Sequence, residues 1–223
     1  KNKTFYLIYD RADIKSDYQA GHSHADILSF ELSYLNNRFL VNSGINTYEN
    51  NKLRHKQRGS KTHNTLVVND TNSTNVWHSF RTGNRAKILN KRNILNNNFI
   101  NLEGSHDGYI KKFNTNHTRS LTIKNTTFIV KDYVSSSKKV DILIHFYFYE
   151  GLEFKKTSNN NYLLKRKNFQ VNIMIEGECS SKISDTLFFP TFGVSKTNKC
   201  LKIKSSIKGN NLIKTTFVFQ LNV

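Results

Sequence analysis

The sequence predicts an all-β protein, a multi-stranded antiparallel β-sandwich of two stacked sheets with room for a smaller C-terminal β layer. Apolar and polar residues alternate along many short segments, which is the pattern of half-buried strands. β-branched and aromatic residues are plentiful, including 16 Phe and 10 Tyr. No segment combines a 3.6-residue period with helix caps, so helices are not expected.

The predicted strands follow one another along the whole chain. Ile142, Ile144 and Phe146 share one face of a segment whose other face carries Leu143 and His145. Both faces are therefore covered, as in a central strand. The pair at residues 36–37, Asn-Asn, predicts a tight hairpin because Asn tolerates a left-handed backbone. The predicted strands are residues 4–9, 27–35, 38–41, 64–68, 87–89, 99–103, 119–123, 128–133, 140–149, 162–164, 169–175, 187–189, 201–203 and 212–221.

Length and charge set the next limits. A chain of 223 residues can form one domain, spanning 1–223, and any internal boundary is expected near residue 150. The net charge of +18 predicts a polyanionic partner, which nucleic acid, an anionic membrane surface and an acidic polysaccharide would all satisfy. The basic residues are mostly scattered Lys interleaved with Asn, so nucleic acid is the least favoured partner.

No apolar run is long enough for a membrane span, and no signal peptide is visible. Cys179 and Cys200 could form one bridge or stay as two thiols.

The segment Gly21–Glu31 carries the densest set of chemically useful side chains. His22 and His24 precede an alternating apolar run that begins near Phe30, so they are expected at the start of a strand. Residues two apart on an extended chain point the same way, which lets both imidazoles face one pocket. Asp26 and Glu31 are expected to orient these histidines.

A series of downstream segments extends the pattern. They are Phe39–Gly44, Thr47–Glu49, Arg54, Arg58, Thr62–Val68, Val76–Arg81, Arg85–Ala86, His106–Tyr109 and His117–Leu121. In this order they resemble the C-terminal domain of the heparinase II/III-like polysaccharide lyases, a family that includes alginate lyases. The resemblance covers about the first two thirds of the chain and is faint after about residue 150.

The resemblance implies a β-sandwich that works beside an N-terminal helical toroid domain on an acidic, uronate-containing polysaccharide. His22 resembles the residue that contacts the substrate carboxylate or shares in proton transfer, and Tyr48 resembles the tyrosine that acts as base. The chain begins at Lys1 without a Met, so we expect an excised or processed piece whose helical domain is absent. The substrate-binding candidates are Arg54, Arg58, Trp77, Arg81, His106 and Tyr109.

The resemblance also implies a metal centre. His24 and His63 resemble two ligands of a tightly bound metal, usually zinc, which supports the loops around the site. Many relatives carry Asp as the third ligand, where this chain has Asn42. An amide oxygen is a poor replacement for a charged zinc ligand. Two interpretations stay open: a zinc site weakened by Asn42, or a hydrogen-bonded polar knot between strands.

Two functions follow from these residues. The first is the β-sandwich portion of a polysaccharide lyase that acts by β-elimination, inactive as an isolated domain and located in the periplasm, at the cell surface or outside the cell. The second is a non-catalytic module that binds acidic glycans or takes part in surface-polysaccharide assembly. Retention of His22, Tyr48 and His63 favours the lyase, while Asn42 favours the module.

Overall fold

A computed structural model describes residues 4–14, 18–97 and 99–222, and it confirms the prediction of an all-β sandwich. The strands are β1 (Phe5–Tyr9), β2 (Phe30–Tyr34), β3 (Asn37–Leu40), β4 (Leu66–Val68), β5 (Asn75–Trp77), β6 (Arg81–Gly83), β7 (Ile88–Leu95), β8 (Phe99–His106), β9 (Thr115–Lys124), β10 (Thr127–Tyr147), β11 (Glu153–Ser158), β12 (Asn161–Arg166), β13 (Phe169–Glu176), β14 (Ser180–Phe188) and β15 (Lys196–Leu221). The helices are α1 (Lys52–Arg58), α2 (Ile110–Phe113) and a 3-10 turn at Ser60–Thr62.

Two sheets enclose the main core. The larger sheet runs in the order β11-β12-β13-β15-β10-β9-β8-β7, with β14 paired to β15 and β4 paired to β10. The smaller sheet is β1-β2-β3, and β5 and β6 form a separate hairpin. Aromatic rings bridge the two sheets: Phe30 lies 5.4 Å from Phe128, and Phe39 lies 5.0 Å from Phe219. Each such pair adds about 0.5–1.5 kcal/mol to the free energy of burial.

Strand β10 holds the two halves of the chain together. It pairs with β15 from Thr127 opposite Val218 to Tyr147 opposite Cys200, with a register shift between Ser136 and Val140. It also pairs with β9 and β4. Strands from both sides of residue 150 therefore share one sheet, while a boundary there stays a prediction.

Several local predictions were wrong. Two helices exist, and the side chain of Asn51 caps α1 by accepting a hydrogen bond from the Arg54 amide at 2.9 Å. The hairpin turn lies at Leu35 and Asn36, both with positive φ, one residue before the predicted pair. The turn moves because Tyr34 faces the core, 2% exposed, and pairs with residue 37.

The two cysteines are free thiols, with Cys200 buried and Cys179 half-buried. Burial raises the pKa of the Cys200 thiol to about 12, which keeps it protonated and unreactive. None of the helices in the described ranges is long and apolar enough to cross a membrane.

Candidate active site and metal centre

The segment that carries His22 and His24 is a loop in front of β2, held in place by α1 and the 3-10 turn. The Ala25 amide donates to the Arg58 carbonyl at 2.9 Å, and the Ser60 hydroxyl donates to the Ala25 carbonyl at 2.6 Å. These bonds fix the backbone immediately after His24, so the loop holds this side chain in place without the strand that was predicted to begin there.

Arg58 connects this loop to the β5–β6 hairpin. Its guanidinium is fully buried and donates to the Ser23 carbonyl at 2.9 and 3.2 Å. It also donates to the carbonyls of Trp77, His78 and Arg81 at 3.0–3.2 Å. Burial lowers the pKa of Arg58 to about 10, which leaves the side chain charged at neutral pH. Arg58 is thus an internal clamp and not the surface residue expected for most arginines of a basic chain.

Arg54 lies one helical turn earlier and is also fully buried. Its Nε donates to the Ser79 carbonyl at 3.1 Å, and its Nη1 reaches Nε2 of His24 at 3.4 Å. Its Nη2 has no partner among the described residues. The guanidinium carbon lies 5.0 Å from the ring centroid of Tyr48 and 5.6 Å from that of Phe80. Burial lowers the pKa of Arg54, and Tyr48 opposes that shift. A buried cation therefore lies beneath the aromatic rings, with one of its amino groups unpaired.

His22 and Tyr48 meet at the surface above Arg54. Their ring centroids are 5.7 Å apart, edge to face, and Phe80 lies 5.5 Å from His22. Phe192 completes the group at 5.1 Å from Tyr48. These four residues, His22, Tyr48, Phe80 and Phe192, form what we call the aromatic rim. His22 is exposed, and 41% of the surface of Tyr48 is exposed, so a large ligand can reach both.

A cavity of about 380 Å³ opens beside Tyr48. One wall is the segment Asn42–Ile45, and the other wall is Phe189–Phe192, from the opposite end of the sequence. The two walls approach so closely that a Cβ at Gly44, φ 80°, would lie 2.1 Å from the Phe189 carbonyl oxygen. The sequence analysis did not identify this second wall. Gly44 was the available signal, since glycine is required where backbones meet this closely.

The predicted metal ligands converge beside the same cavity. The ring centroids of His24 and His63 lie 5.3 Å apart, and Nδ1 of His63 lies 2.8 Å from Oδ1 of Asn42. Asp26 joins them: ligand atoms of His24, Asp26 and His63 all lie within 4.8 Å of one another. We call His24, Asp26, Asn42 and His63 the site cluster. Asp26 supplies the carboxylate that position 42 lacks.

Electrostatics keep both imidazoles neutral. Burial lowers the pKa of His24 to about 2, with further lowering by His63, Arg54 and Arg58. Burial also lowers the pKa of His63, which Asp26 partly opposes. Because the Asn42 oxygen accepts from Nδ1 of His63, Nε2 of that ring carries a lone pair. This Nε2 is buried and has no partner in the described part of the chain. Two neutral imidazoles, a carboxylate and an unused buried nitrogen fit a divalent metal such as zinc.

The other predicted binding residues lie elsewhere. Trp77 is 46% exposed on the β5–β6 hairpin, and the Arg81 side chain is exposed at the same hairpin. His106 and Tyr109 are 1% exposed, and the Tyr109 hydroxyl donates to the Leu66 carbonyl at 2.9 Å. Neither His106 nor Tyr109 lines the cavity beside Tyr48.

Solved structures share this fold. A heparinase III matches with 18% identity over 96% of this chain and 33% of its own, with a TM-score of 0.78. The heparan sulfate lyase HepC of Pedobacter heparinus matches with 17% identity over 99% of this chain and 36% of its own, with a TM-score of 0.76. A heparinase III described as the BT4657 gene product matches with 16% identity over 99% and 35%, with a TM-score of 0.74. The chain thus spans about a third of the length of these proteins.

Among curated protein sequences, no significant match is found. A family model, described as heparinase II/III-like, C-terminal, matches residues 1–215, well past residue 150, where the sequence resemblance was faint. The chain belongs to the heparinase II/III-like C-terminal family.

Proposed function

We propose that this chain is the β-sandwich portion of a polysaccharide lyase that cleaves an acidic, uronate-containing polymer by β-elimination. The observation that carries the proposal is the contact of His22 with Tyr48 at an exposed rim, directly above the buried cation Arg54. Membership of the heparinase II/III-like C-terminal family supports the same chemistry.

β-Elimination of a uronate needs three groups. The proton on the carbon next to the carboxylate is removed, a double bond forms to the neighbouring carbon, and the glycosidic oxygen leaves with a proton. A positive or hydrogen-bonding group must hold the carboxylate so that the carbon becomes acidic, and a base and an acid must carry the protons. We assign Tyr48 as the base and His22 to the carboxylate or to a shared proton transfer.

The positive charge of Arg54 supports the assignment of Tyr48 as the base. Tyr48 can act as a base only after its phenol has lost a proton, and a guanidinium 5.0 Å from the ring centroid stabilises the resulting negative charge. The buried guanidinium of Arg54 also adds a positive charge beneath the rim, which attracts a uronate carboxylate from a distance. The exposed Trp77 and Arg81 remain candidates for direct contact with sugar. Arg58, His106 and Tyr109 have their polar atoms engaged in the interior, so we assign them supporting roles.

The site cluster is the proposed metal centre. His24, Asp26 and His63 would hold the ion, and the Asn42 amide would orient His63. A bound zinc ion would supply a fixed positive charge that ties the His24 loop to the 3-10 turn. The proton transfers assigned to His22 and Tyr48 do not depend on it.

A third catalytic group is not evident near the aromatic rim in the described residues. We propose that a helical domain of a longer protein supplies it together with the other wall of the cleft, and that the isolated chain is inactive. We propose that this longer protein acts in the periplasm, at the cell surface or outside the cell, where a polymeric substrate would be met.

The rival function is a non-catalytic module that binds acidic glycans or assists polysaccharide assembly. The specific observation in its favour is the bond from Arg54 to His24, which gives the site cluster a stable arrangement without metal. This rival predicts glycan binding without product.

The test is turnover of a panel of uronate polymers, including heparan sulfate, hyaluronan and alginate, read from the ultraviolet absorbance of the unsaturated product. The two-domain protein should be active, and His22→Ala or Tyr48→Phe should lower kcat by about 10²–10⁴ because a positioned acid or base is lost. Tyr133→Phe is the matched control, since Tyr133 is exposed on β10 outside the cavity. Full activity of both site variants would refute the assignments. Binding without any product would establish the rival.

A further inference from the structure

We propose that a second, basic cavity binds an anionic sugar unit away from the aromatic rim, through Lys111 and Lys112. The nature of this ligand rests on the proposed function, because an acidic polymer is the substrate that such a cavity would help to hold.

The cavity has a volume of about 510 Å³. Three segments enclose it: residues 71–75 after β4, residues 84–86 after β6, and residues 107–112, which follow β8 and extend into α2. It shares no lining residue with the cavity beside Tyr48. The two cavities are therefore separate sites on one domain.

The lining matches a charged carbohydrate. Lys111 and Lys112 supply two positive charges against the single carboxylate of Asp107, and Arg85 also lines the cavity. The Asp107 carboxylate is held in place by the Lys87 amide, which donates to its Oδ1 at 2.6 Å. Guanidinium and ammonium groups bind carboxylate and sulfate, with an Arg able to bind two oxygens at once.

The uncharged part of the lining favours a sugar over a phosphate or a peptide. The amide side chains of Asn75 and Asn84 are exposed at the cavity, where they can bond to hydroxyl groups. No aromatic ring lines the cavity within the described ranges. Without a ring to stack on a neutral sugar, binding must come from charge and hydrogen bonds, which selects acidic units.

The floor of the cavity is built in advance. Gly108 packs so closely that a Cβ there would lie 2.7 Å from the Ser73 carbonyl oxygen and 3.0 Å from the Cβ of Ala86. The Gly108 amide donates to Nδ1 of His106 at 3.1 Å, and the Ala86 amide donates to the Thr74 hydroxyl at 2.9 Å. A floor with this many fixed bonds loses little entropy when a ligand binds.

The cavity also connects to the candidate active site through bonded residues. Asn72 lines it, and Oδ1 of Asn72 accepts the Ser60 amide at 2.9 Å. Ser60 in turn holds Ala25 in the loop of His22. A polymer long enough to touch both sites would be retained between turnovers, since the second contact becomes intramolecular.

The experiment compares Lys111→Ser/Lys112→Ser with a control of equal charge change, Lys165→Ser/Lys167→Ser. The control lysines are exposed at the β12–β13 turn, at the other end of the large sheet from β8. Calorimetric titration of the 223-residue chain would use heparin decasaccharide, polygalacturonate, dextran sulfate and neutral dextran. We expect the Lys111/Lys112 variant to weaken binding of at least one acidic glycan about tenfold, and the control to change it less than about twofold. Selective loss of dextran sulfate binding would identify sulfate as the recognised group, and selective loss of polygalacturonate binding would identify carboxylate.

Equal losses in both variants would mean that net charge alone attracts the polymer, and would overturn the proposal. Absence of binding to every acidic glycan, or equal binding of neutral dextran, would overturn it as well. Tyr133→Phe, which alters neither cavity, should leave these affinities unchanged. Selective binding by this cavity in a two-domain protein that shows no lyase activity would refute the proposed function and keep the second site.

Discussion

The described chain contains two groups that each join two histidines to an aspartate, one fully buried and one partly buried. The first is the site cluster of His24, Asp26, Asn42 and His63. The second, which we call the core network, consists of His106, His117, Arg119 and Asp132, all at most 1% exposed. In both groups burial lowers the histidine pKa values.

The core network is a complete chain of hydrogen bonds. The Gly108 amide donates to Nδ1 of His106, so the proton of that ring is on Nε2, 3.1 Å from Nδ1 of His117. Nε2 of His117 then donates to Asp132 at 2.7 Å, and Arg119 binds the same carboxylate at 2.7 and 3.0 Å. Burial alone would raise the pKa of Asp132, but Arg119 and His117 hold it below its ordinary value. Each of these charged or polar groups has a partner.

In and around the site cluster, several buried polar atoms lack a hydrogen-bond partner. Nε2 of His63, Nη2 of Arg54 and both polar atoms of the Gln57 amide are buried without partners among the described residues. An unpaired buried polar group costs about 1–3 kcal/mol. We therefore interpret the core network, whose hydrogen bonds are complete, as structural, and the site cluster, whose hydrogen bonds are incomplete, as a candidate site.

Acid should have the largest effect, because it protonates buried histidines. His106 and His117 of the core network, His24 and His63 of the site cluster, and His145 all have folded pKa values below the unfolded value of about 6.5, with that of His145 at about 3. The unfolded chain therefore binds more protons below about pH 6.5, and this stability is present above that pH and lost as pH falls. Each such histidine contributes up to about 1.4 kcal/mol per pH unit to this slope.

Asp10 gives the free energy of unfolding a pH dependence of opposite sign over part of this range. Burial and then Asp26 raise its pKa to about 6, so its contribution falls as pH rises from about 4 to about 6. Urea unfolding at several pH values between about 7.5 and about 5 measures the net slope. A free energy of unfolding that stays flat over this range would show that these histidines are solvated or protonated in the folded protein.

Removing one partner of the core network should come next in size. Asp132→Ala leaves the buried Arg119 charge without its carboxylate, which costs about 3–5 kcal/mol of unfolding free energy. Asp185→Ala is the control, since its ion pair with Lys199 is exposed and contributes less than about 1 kcal/mol. Both values come from urea unfolding. If the two variants were equally stable, the core network would have no special structural role.

The sequence predicted those features that depend on local patterns. Alternation along 140–148 placed β10 at the centre of the large sheet, and the family resemblance brought His24, Asn42 and His63 to one place. Sequence reasoning failed for α1 because this helix of seven residues buries two arginines instead of an apolar stripe. Hydrophobic periodicity cannot detect such a helix.

The features of the site that sequence reasoning missed depend on contacts between residues far apart in the sequence. Phe192 reaches Tyr48 across the chain, and no local pattern around residue 192 indicates that contact. Asp26 looked like a residue that orients a neighbouring histidine, and only the folded loop brings its carboxylate within 4.8 Å of the ligand atoms of both histidines. Burial of Arg54 was equally hidden, because a buried guanidinium and a solvated one have the same sequence signature.

Metal binding should give the smallest effect and the most direct test of what the incomplete cluster is for. If His24, Asp26 and His63 hold zinc while Asn42 only orients His63, Asp26→Asn should weaken zinc binding about tenfold or more, because a charged ligand is lost. Asn42→Asp should strengthen it about tenfold, because a carboxylate bonded to Nδ1 makes His63 a better donor. Arg54→Met should also strengthen binding, since it removes a nearby positive charge and the group that competes for Nε2 of His24.

Zinc titration with metal analysis of the dialysed protein measures the affinity of all three variants, and Asp185→Asn is the control for loss of an exposed carboxylate. Unchanged affinity in Asp26→Asn, with a large loss in Asn42→Ala, would instead make Asn42 a direct ligand as the sequence predicted. Absence of zinc binding in every variant would establish the polar knot, with the Arg54 guanidinium as a cation bonded to it.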